Sequence, residues 1–205
     1  MKTEIRIPEA LWQAVLDLFA QHEAGVERIA YIDGFRIDES GYPGGSPDEQ
    51  VYVAVTIAVP NAVLGSGHYF VPADAVSEAG RHMRTERMKR VAQVHSHGND
   101  WVGHSHTDND RAYSQRPGAI SVVVPFHGTT RPDIAECGVH LRTEAGWRCV
   151  RPDSVIKIVP SVLDYRSKKW APTPDPVASG GIFSRFLAWT RGVLKHPARC
   201  ESSSP

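Results

Sequence analysis

The sequence predicts an α/β sandwich: a mixed, mainly antiparallel curved sheet flanked by two long helices, with a short third helix beside a candidate metal site. Three observations carry this. Two segments of helical period, opening at Pro8 and Pro72, interrupt runs rich in β-branched residues. Those runs, such as 51–59 and 119–125, are strand-length and bounded by Gly, Pro, Asn and Asp. Further on, 134–141 and 147–150 flank Thr143-Glu144-Ala145-Gly146, which suits a hairpin turn.

Taken in order, Pro8 fits the first turn of a helix running to about His22, where its fixed φ is favourable and its missing N–H is no loss. Leu11, Trp12, Val15, Leu16, Leu18 and Phe19 give that helix a broad apolar face, with Trp12 and Phe19 as core residues. The segment from Glu27 to Ile37 reads as a strand, 38–49 as a Gly/Pro/Ser/Asp-rich loop, and 51–59 as a second strand. A polar loop leads to a second helix over 72–90. The strand 91–95 follows, then a short helix opened by Ser105, and Gly118 breaks the chain before the apolar run 119–125, typical of a central strand. Residues 155–162 add an edge strand, and no internal repeat is present. The expected organisation is a catalytic domain over 1–165, a Pro/Gly-rich linker over 166–181, and a C-terminal amphipathic helix and tail over 182–205. That last helix groups Phe183, Phe186, Leu187 and Leu194 against Arg185, Arg191 and Lys195. Docking on its own domain leads, ahead of binding a partner; an interfacial membrane role comes last.

Composition narrows the class. Lys+Arg 23 balance Asp+Glu 23, so no strong field favours nucleic acid. The start MKTEIRIPEALW lacks the apolar run of a secretion signal, and no stretch approaches the ~18 apolar residues of a membrane span, so a cytoplasmic protein without membrane partners is expected. Cys137, Cys149 and Cys200 include no Cys-x-x-Cys pair, which argues against a disulfide framework and against a cysteine-based zinc site.

The chemistry concentrates in His95-Ser96-His97 and, beyond a Gly-containing loop, Ser105 and Asp108. Two imidazoles one residue apart at a strand end point the same way, because side chains on one face recur every second residue. Asp108 completes a set of three ligands that leaves one position for water, as catalytic zinc sites do. Ser105 and Asp108 also have the spacing of a helix N-cap and its third residue, and a plain capping motif is the commoner meaning of that pair. Hydrolysis needs one more carboxylate, outside the ligand set, to take a proton from water, and Glu27 is the candidate. His104 and His106 form a second His-x-His, but on loop and helix-start residues whose rings need not converge. Asp110 lies about 200° round a helix from Asp108 and cannot face the same point. The remaining histidines, His127 and His140 among them, are dispersed and suit surface or core hydrogen bonds. Trp101 could pack beneath the loop or touch substrate.

The pattern Glu27-x-x-Ala30-x-x-x-Gly34, then His95-x-His97, seven residues, Ser105, two residues, Asp108 resembles the JAMM signature of the MPN-plus zinc metalloproteases, isopeptidases that remove ubiquitin or ubiquitin-like proteins. The resemblance spans about 8–150; Ala30 stands where the family usually has Gly, and Gly98 where Pro often follows the second His. It implies an MPN sandwich, one Zn2+ per chain on His95, His97 and Asp108, Glu27 as the base that returns its proton to the leaving amine, and Ser105 as a donor to the tetrahedral oxyanion. It implies cleavage after the C-terminus of a ubiquitin-like protein, by deconjugation or precursor processing. The compact form resembles bacterial members of ubiquitin-like conjugation operons tied to antiphage defence, with E1- and E2-like enzymes as partners. Within the same chemistry, a sulfur-carrier precursor or a small peptide is an alternative substrate. A non-catalytic MPN scaffold is the alternative from another class, and it gives no reason to keep all five positions filled.

Overall fold

The chain enters the sheet at its second residue. The computed structural model describes residues 2–21, 25–37 and 49–163, and the linker and C-terminal helix expected beyond 165 lie outside the described residues, as does nearly all of the 38–49 loop. Lys2–Pro8 forms strand β1, in which Ile5 and Ile7 alternate inward and are fully buried. This strand is not expected from the sequence, because the helix signal at Pro8 masks so short a period-two pattern.

Helix α1, Glu9–Ala20, follows with Pro8 at its N-cap and buries Trp12, Val15, Leu16 and Phe19, the face its spacing predicts. Strands β2 (Ile29–Ile37) and β3 (Glu49–Ala58) form an antiparallel pair with a bulge at Asp33/Gly34. A Cβ on Gly34 would overlap the Val53 carbonyl, so only glycine allows this approach of two backbones. The expected polar loop contains a small hairpin, β4 (Val63–Gly65) and β5 (His68–Phe70), turned by Ser66-Gly67 with Gly67 at φ 78°. Helix α2 covers Ala73–Thr85, shorter than the expected 72–90. Arg87 takes a left-handed φ of 55°, which stops the helix, and Lys89 already belongs to the next strand.

That strand, β6 (Lys89–Ser96), leads through a loop to the one-and-a-half-turn helix α3 (His106–Arg111), then β7 (Ile120–Val124), β8 (Gly138–Thr143), β9 (Gly146–Val150) and β10 (Ile156–Val159). Residues 134–136, expected as strand, form a 3-10 turn because Asp133 and Glu136 cap it reciprocally; the strand starts at Gly138.

Eight strands make one mixed sheet in the order β10-β1-β3-β2-β6-β7-β8-β9. Its pairings are more evenly mixed than expected: β1/β10, β1/β3 and β6/β7 are parallel, while β2/β3, β2/β6, β7/β8 and β8/β9 are antiparallel. Parallel neighbours need long crossovers, and the β6–β7 crossover is the segment that carries the metal motif. Alternation along β2 and β6 sorts the two faces. Ala30, Ile32, Ala92 and Val94 join the main core with α1, whereas Ile29 and Tyr31 pack with Tyr69 in a second cluster flanked by Ala79 and Tyr113. His95 is two residues from Gln93 and opposite in facing to Val94, and so lies on this second face. Among the described residues no helix is long and apolar enough to cross a membrane.

Candidate metal centre

Strand β6 delivers both imidazoles. The His97 N–H donates to Val124 O (2.9 Å), which extends the β6–β7 pairing beyond the strand end and fixes the register of the pair. His95 is fully buried, with neither ring nitrogen hydrogen-bonded and Nε2 3.4 Å from Asp108 Oδ1. An imidazole so enclosed and without partners is costly unless another group completes it. His97 Nε2 lies 3.6 Å from Asp108 Oδ2. Its Nδ1–H donates to the Trp101 carbonyl (2.9 Å), leaving the Nε2 lone pair turned toward the carboxylate. The Trp101 indole stacks on the same ring (5.0 Å, 10°), so Trp101 packs against His97.

Asp108 comes from α3, whose capping box is complete. The Ser105 N–H donates to Asp108 Oδ2 (2.7 Å), and the Asp108 N–H donates to Ser105 Oγ (3.1 Å). One ligand-capable atom from each of His95, His97 and Asp108 lies within 4.8 Å of the others, and all three residues are buried. Nitrogen and oxygen donors converging in this way could hold a metal ion.

The electrostatics favour the ligand form of His95 and Asp108 and, with no metal ion counted, the charged form of His97. Burial lowers the His95 pKa and outweighs the opposing effect of Asp108. Burial acts the same way on His97, but the nearby Asp108 carboxylate, the hydrogen bond to the Trp101 carbonyl and the Glu27 charge raise its pKa overall. Burial pushes the Asp108 carboxyl up, yet the close approach of His95 and His97 and the hydrogen bond from Ser105 hold it well below the usual carboxylate range.

Glu27 lies just before β2 and not within it, its N–H donating to Gly65 O (3.0 Å) on the small hairpin. It is buried, and desolvation with the Asp108 charge raises its pKa to about 7, against a lowering effect of His97. Glu27, His97, Trp101 and Ser105 line one cleft of ≈ 350 Å³ together with Ser66, Gly98, Asn99 and His127. All five predicted positions therefore gather at one place.

The second His-x-His pair diverges. His106 is exposed and pairs with Asp110 (3.0 Å), whereas His104 is held between Asn109 Oδ1 and Ser121 Oγ, both at 3.0 Å, and stacks on His140 (3.9 Å). Burial, with His140 and His95 nearby, lowers the His104 pKa to about 2, so it is a neutral core group. It belongs to a buried polar chain that composition did not reveal. Gln93 Nε2 donates to Tyr69 Oη (2.7 Å) and to Ser121 Oγ (3.4 Å), and Gln93 Oε1 accepts from the Tyr113 N–H (2.9 Å). Tyr69 in turn packs on the His95 ring (5.3 Å), so the chain braces a ligand from behind. Gln93, two residues before His95 on the same face, was the available signal.

His127, one of the dispersed histidines of the sequence, borders the cleft. Its main-chain N–H donates to His97 O (2.8 Å), and Nδ1 lies 3.1 Å from Ser96 Oγ.

No protein-family model matches the chain, and no curated protein matches it in sequence. Among solved structures it is similar to the solution structure of protein DSY2949 from Desulfitobacterium hafniense, with a TM-score of 0.53 and 14% identity over 77% of this chain and 95% of that one. At that identity the likeness concerns the fold alone. The protein is thus an α/β protein with an eight-stranded mixed sheet and a buried His-His-Asp cluster able to hold a metal ion.

Proposed function

We propose that the chain is a zinc-dependent peptidase of the JAMM kind, cleaving amide bonds after the C-terminus of a ubiquitin-like protein in deconjugation or precursor processing. The observation that carries this reading is the position of Glu27: a buried carboxyl with a pKa near 7, outside the His95-His97-Asp108 set yet on the same cleft as His97. A purely structural metal site has no use for a second, poised carboxyl outside the ligand set. The proposed setting is the cytoplasm, in a bacterial antiphage conjugation system with E1- and E2-like partners.

His95, His97 and Asp108 would hold the zinc, which when bound supplies Lewis acidity that polarises a carbonyl and makes water nucleophilic near neutral pH. Glu27 takes the proton from the attacking water and returns it to the leaving amine, a task matched to a pKa near the working pH. The Ser105 hydroxyl, already an acceptor from the Asp108 N–H, keeps its own proton for the oxygen that becomes negative. Trp101 keeps one His97 ring face dry.

The test is cleavage of a fusion in which a ubiquitin-like domain is joined through its C-terminal tail to a lysine side chain, with zinc supplied and then chelated. The parent should cleave and Glu27→Gln should lose about 10² to 10⁴-fold while retaining metal. Cleavage that survives chelation, or that Glu27→Gln leaves at the parent rate, refutes the reading.

A further inference from the structure

We infer that His127 is a substrate-binding residue whose Nε2–H donates to a main-chain carbonyl of an extended peptide lying in the cleft; this deepens the peptidase reading and rests on it.

A chain of bonds on the back of the metal motif favours one tautomer. Ser96, between the two ligand histidines, faces the opposite way from them. Its hydroxyl accepts the Arg28 N–H (3.0 Å), and its own proton is then free for His127 Nδ1 at 3.1 Å. With Nδ1 as acceptor, the ring proton sits on Nε2. Nothing inside the protein accepts that proton among the hydrogen bonds of the described residues, and the ring borders the cleft beside His97, Gly98 and Asn99.

The backbone that presents the ring is unusual. Phe126, His127 and Gly128 have φ of 50°, 51° and 74°, three left-handed residues in succession, two of them with a Cβ. Such a turn persists only where its surroundings impose it, and these conformations gather at ligand sites. Here the surroundings are the metal loop itself, since Phe126 N donates to Asn99 O (3.0 Å) and His127 N to His97 O (2.8 Å). The opposing wall leaves room for the ring: a Cβ on residue 98 would stand 3.0 Å from His127 Nε2, and residue 98 is glycine.

The chemistry of the cleft selects the acceptor. Glu27 lies on the same cleft, and its charge opposes a bound anion. A neutral N–H donor beside a carboxylate suits an uncharged acceptor, and a peptide laid along the cleft offers carbonyls at regular intervals.

The test uses His127→Gly, which relaxes the left-handed backbone while removing the donor, and His127→Asn, which tolerates the same φ and restores an N–H. The probe is a short quenched peptide with two glycines before the scissile bond. Its KM and kcat are read on the zinc-loaded proteins, and its Kd by fluorescence anisotropy in a Glu27→Gln background. His127→Gly should keep zinc and the parent melting behaviour, raise KM and Kd about tenfold with kcat nearly unchanged, and be partly rescued in His127→Asn. Parent-like KM and Kd in His127→Gly overturn the role, and so does a loss of zinc that accounts for the loss of binding. A parent protein that neither binds nor cleaves the peptide, nor the ubiquitin-like fusion, fails the peptidase reading and removes this role with it. Parent activity with indifferent His127 variants fails the His127 role alone.

Discussion

Ser105 and Asp108 hold each other twice: the Ser105 N–H donates to the Asp108 carboxylate, and the Ser105 hydroxyl accepts from the Asp108 N–H. The bonds that start α3 are thus the bonds that aim a ligand at His95 and His97. A helix of six residues has little stability of its own, so its position depends on this reciprocal cap and on the buried groups behind it.

The two bonds separate on mutation. Ser105→Ala keeps the main-chain N–H to Asp108 but loses the hydroxyl, and should cost about 1 kcal/mol of stability with zinc affinity changed only a few-fold. If the hydroxyl also serves the oxyanion, kcat should fall about 10² to 10³-fold. Urea unfolding, zinc titration and turnover measured on one preparation divide the effects. Zinc loss as complete as in Asp108→Ala would make the hydroxyl a device for holding the ligand only.

Metal content follows from the three convergent groups. About one zinc per chain is expected, and His95→Ala, His97→Ala and Asp108→Ala should each lose it, while His106→Ala, on an exposed ring paired with Asp110, should not. Elemental analysis after dialysis decides. Full occupancy in all three ligand variants would remove the site from consideration.

Glu27 should leave a signature in the stability of the metal-free protein. Its folded pKa is about 7 against an ordinary glutamate value of 4.5, so the folded state holds the proton more tightly than the unfolded one. Stability from this group is therefore full below pH 4.5 and lost as pH rises towards about 7. Glu27→Gln stays neutral throughout and should match the parent in acid. Well above neutrality it should exceed it by on the order of 3 kcal/mol. Denaturant melts at several pH values would show the gap opening, and a constant difference would contradict it.

His104 should matter to folding. Removing its ring leaves Asn109 Oδ1 and Ser121 Oγ without that partner and opens a space against His140. His104→Ala should cost about 2 to 4 kcal/mol. The protein should still reach full zinc occupancy at saturating metal. Thermal melts with metal titration check both statements.

What was legible in the sequence was what is local. His95 and His97 are related by the period of a strand, Ser105 and Asp108 by the first turn of a helix, and each pair stands where that geometry puts it. Glu27 was legible only through the longer pattern, since nothing near it indicates that it meets a loop some seventy residues on. The hairpin holding Tyr69 has strands of three residues, too short for alternation to register. His127 reaches the cleft through a left-handed turn fixed by bonds to Asn99 and His97, a tertiary cause with no local trace. Helix α2 is shorter than its composition predicts, because Ala, Glu, Arg and Met favour helix up to the point where Arg87 turns the chain into β6.

The place of β1 has a consequence for how the protein is made. The first strand lies between β3 and β10, with Ile5 opposite Ile156 and its N–H bonded to Val155 O at 2.7 Å. A chain emerging from the ribosome amino end first can pair β1 with β3 early, but its other side waits for almost the whole domain to be synthesised. Until then the Ile-rich edge is an open template for another nascent chain. The newborn protein is most exposed to self-association along the strand that, once complete, is among its best protected.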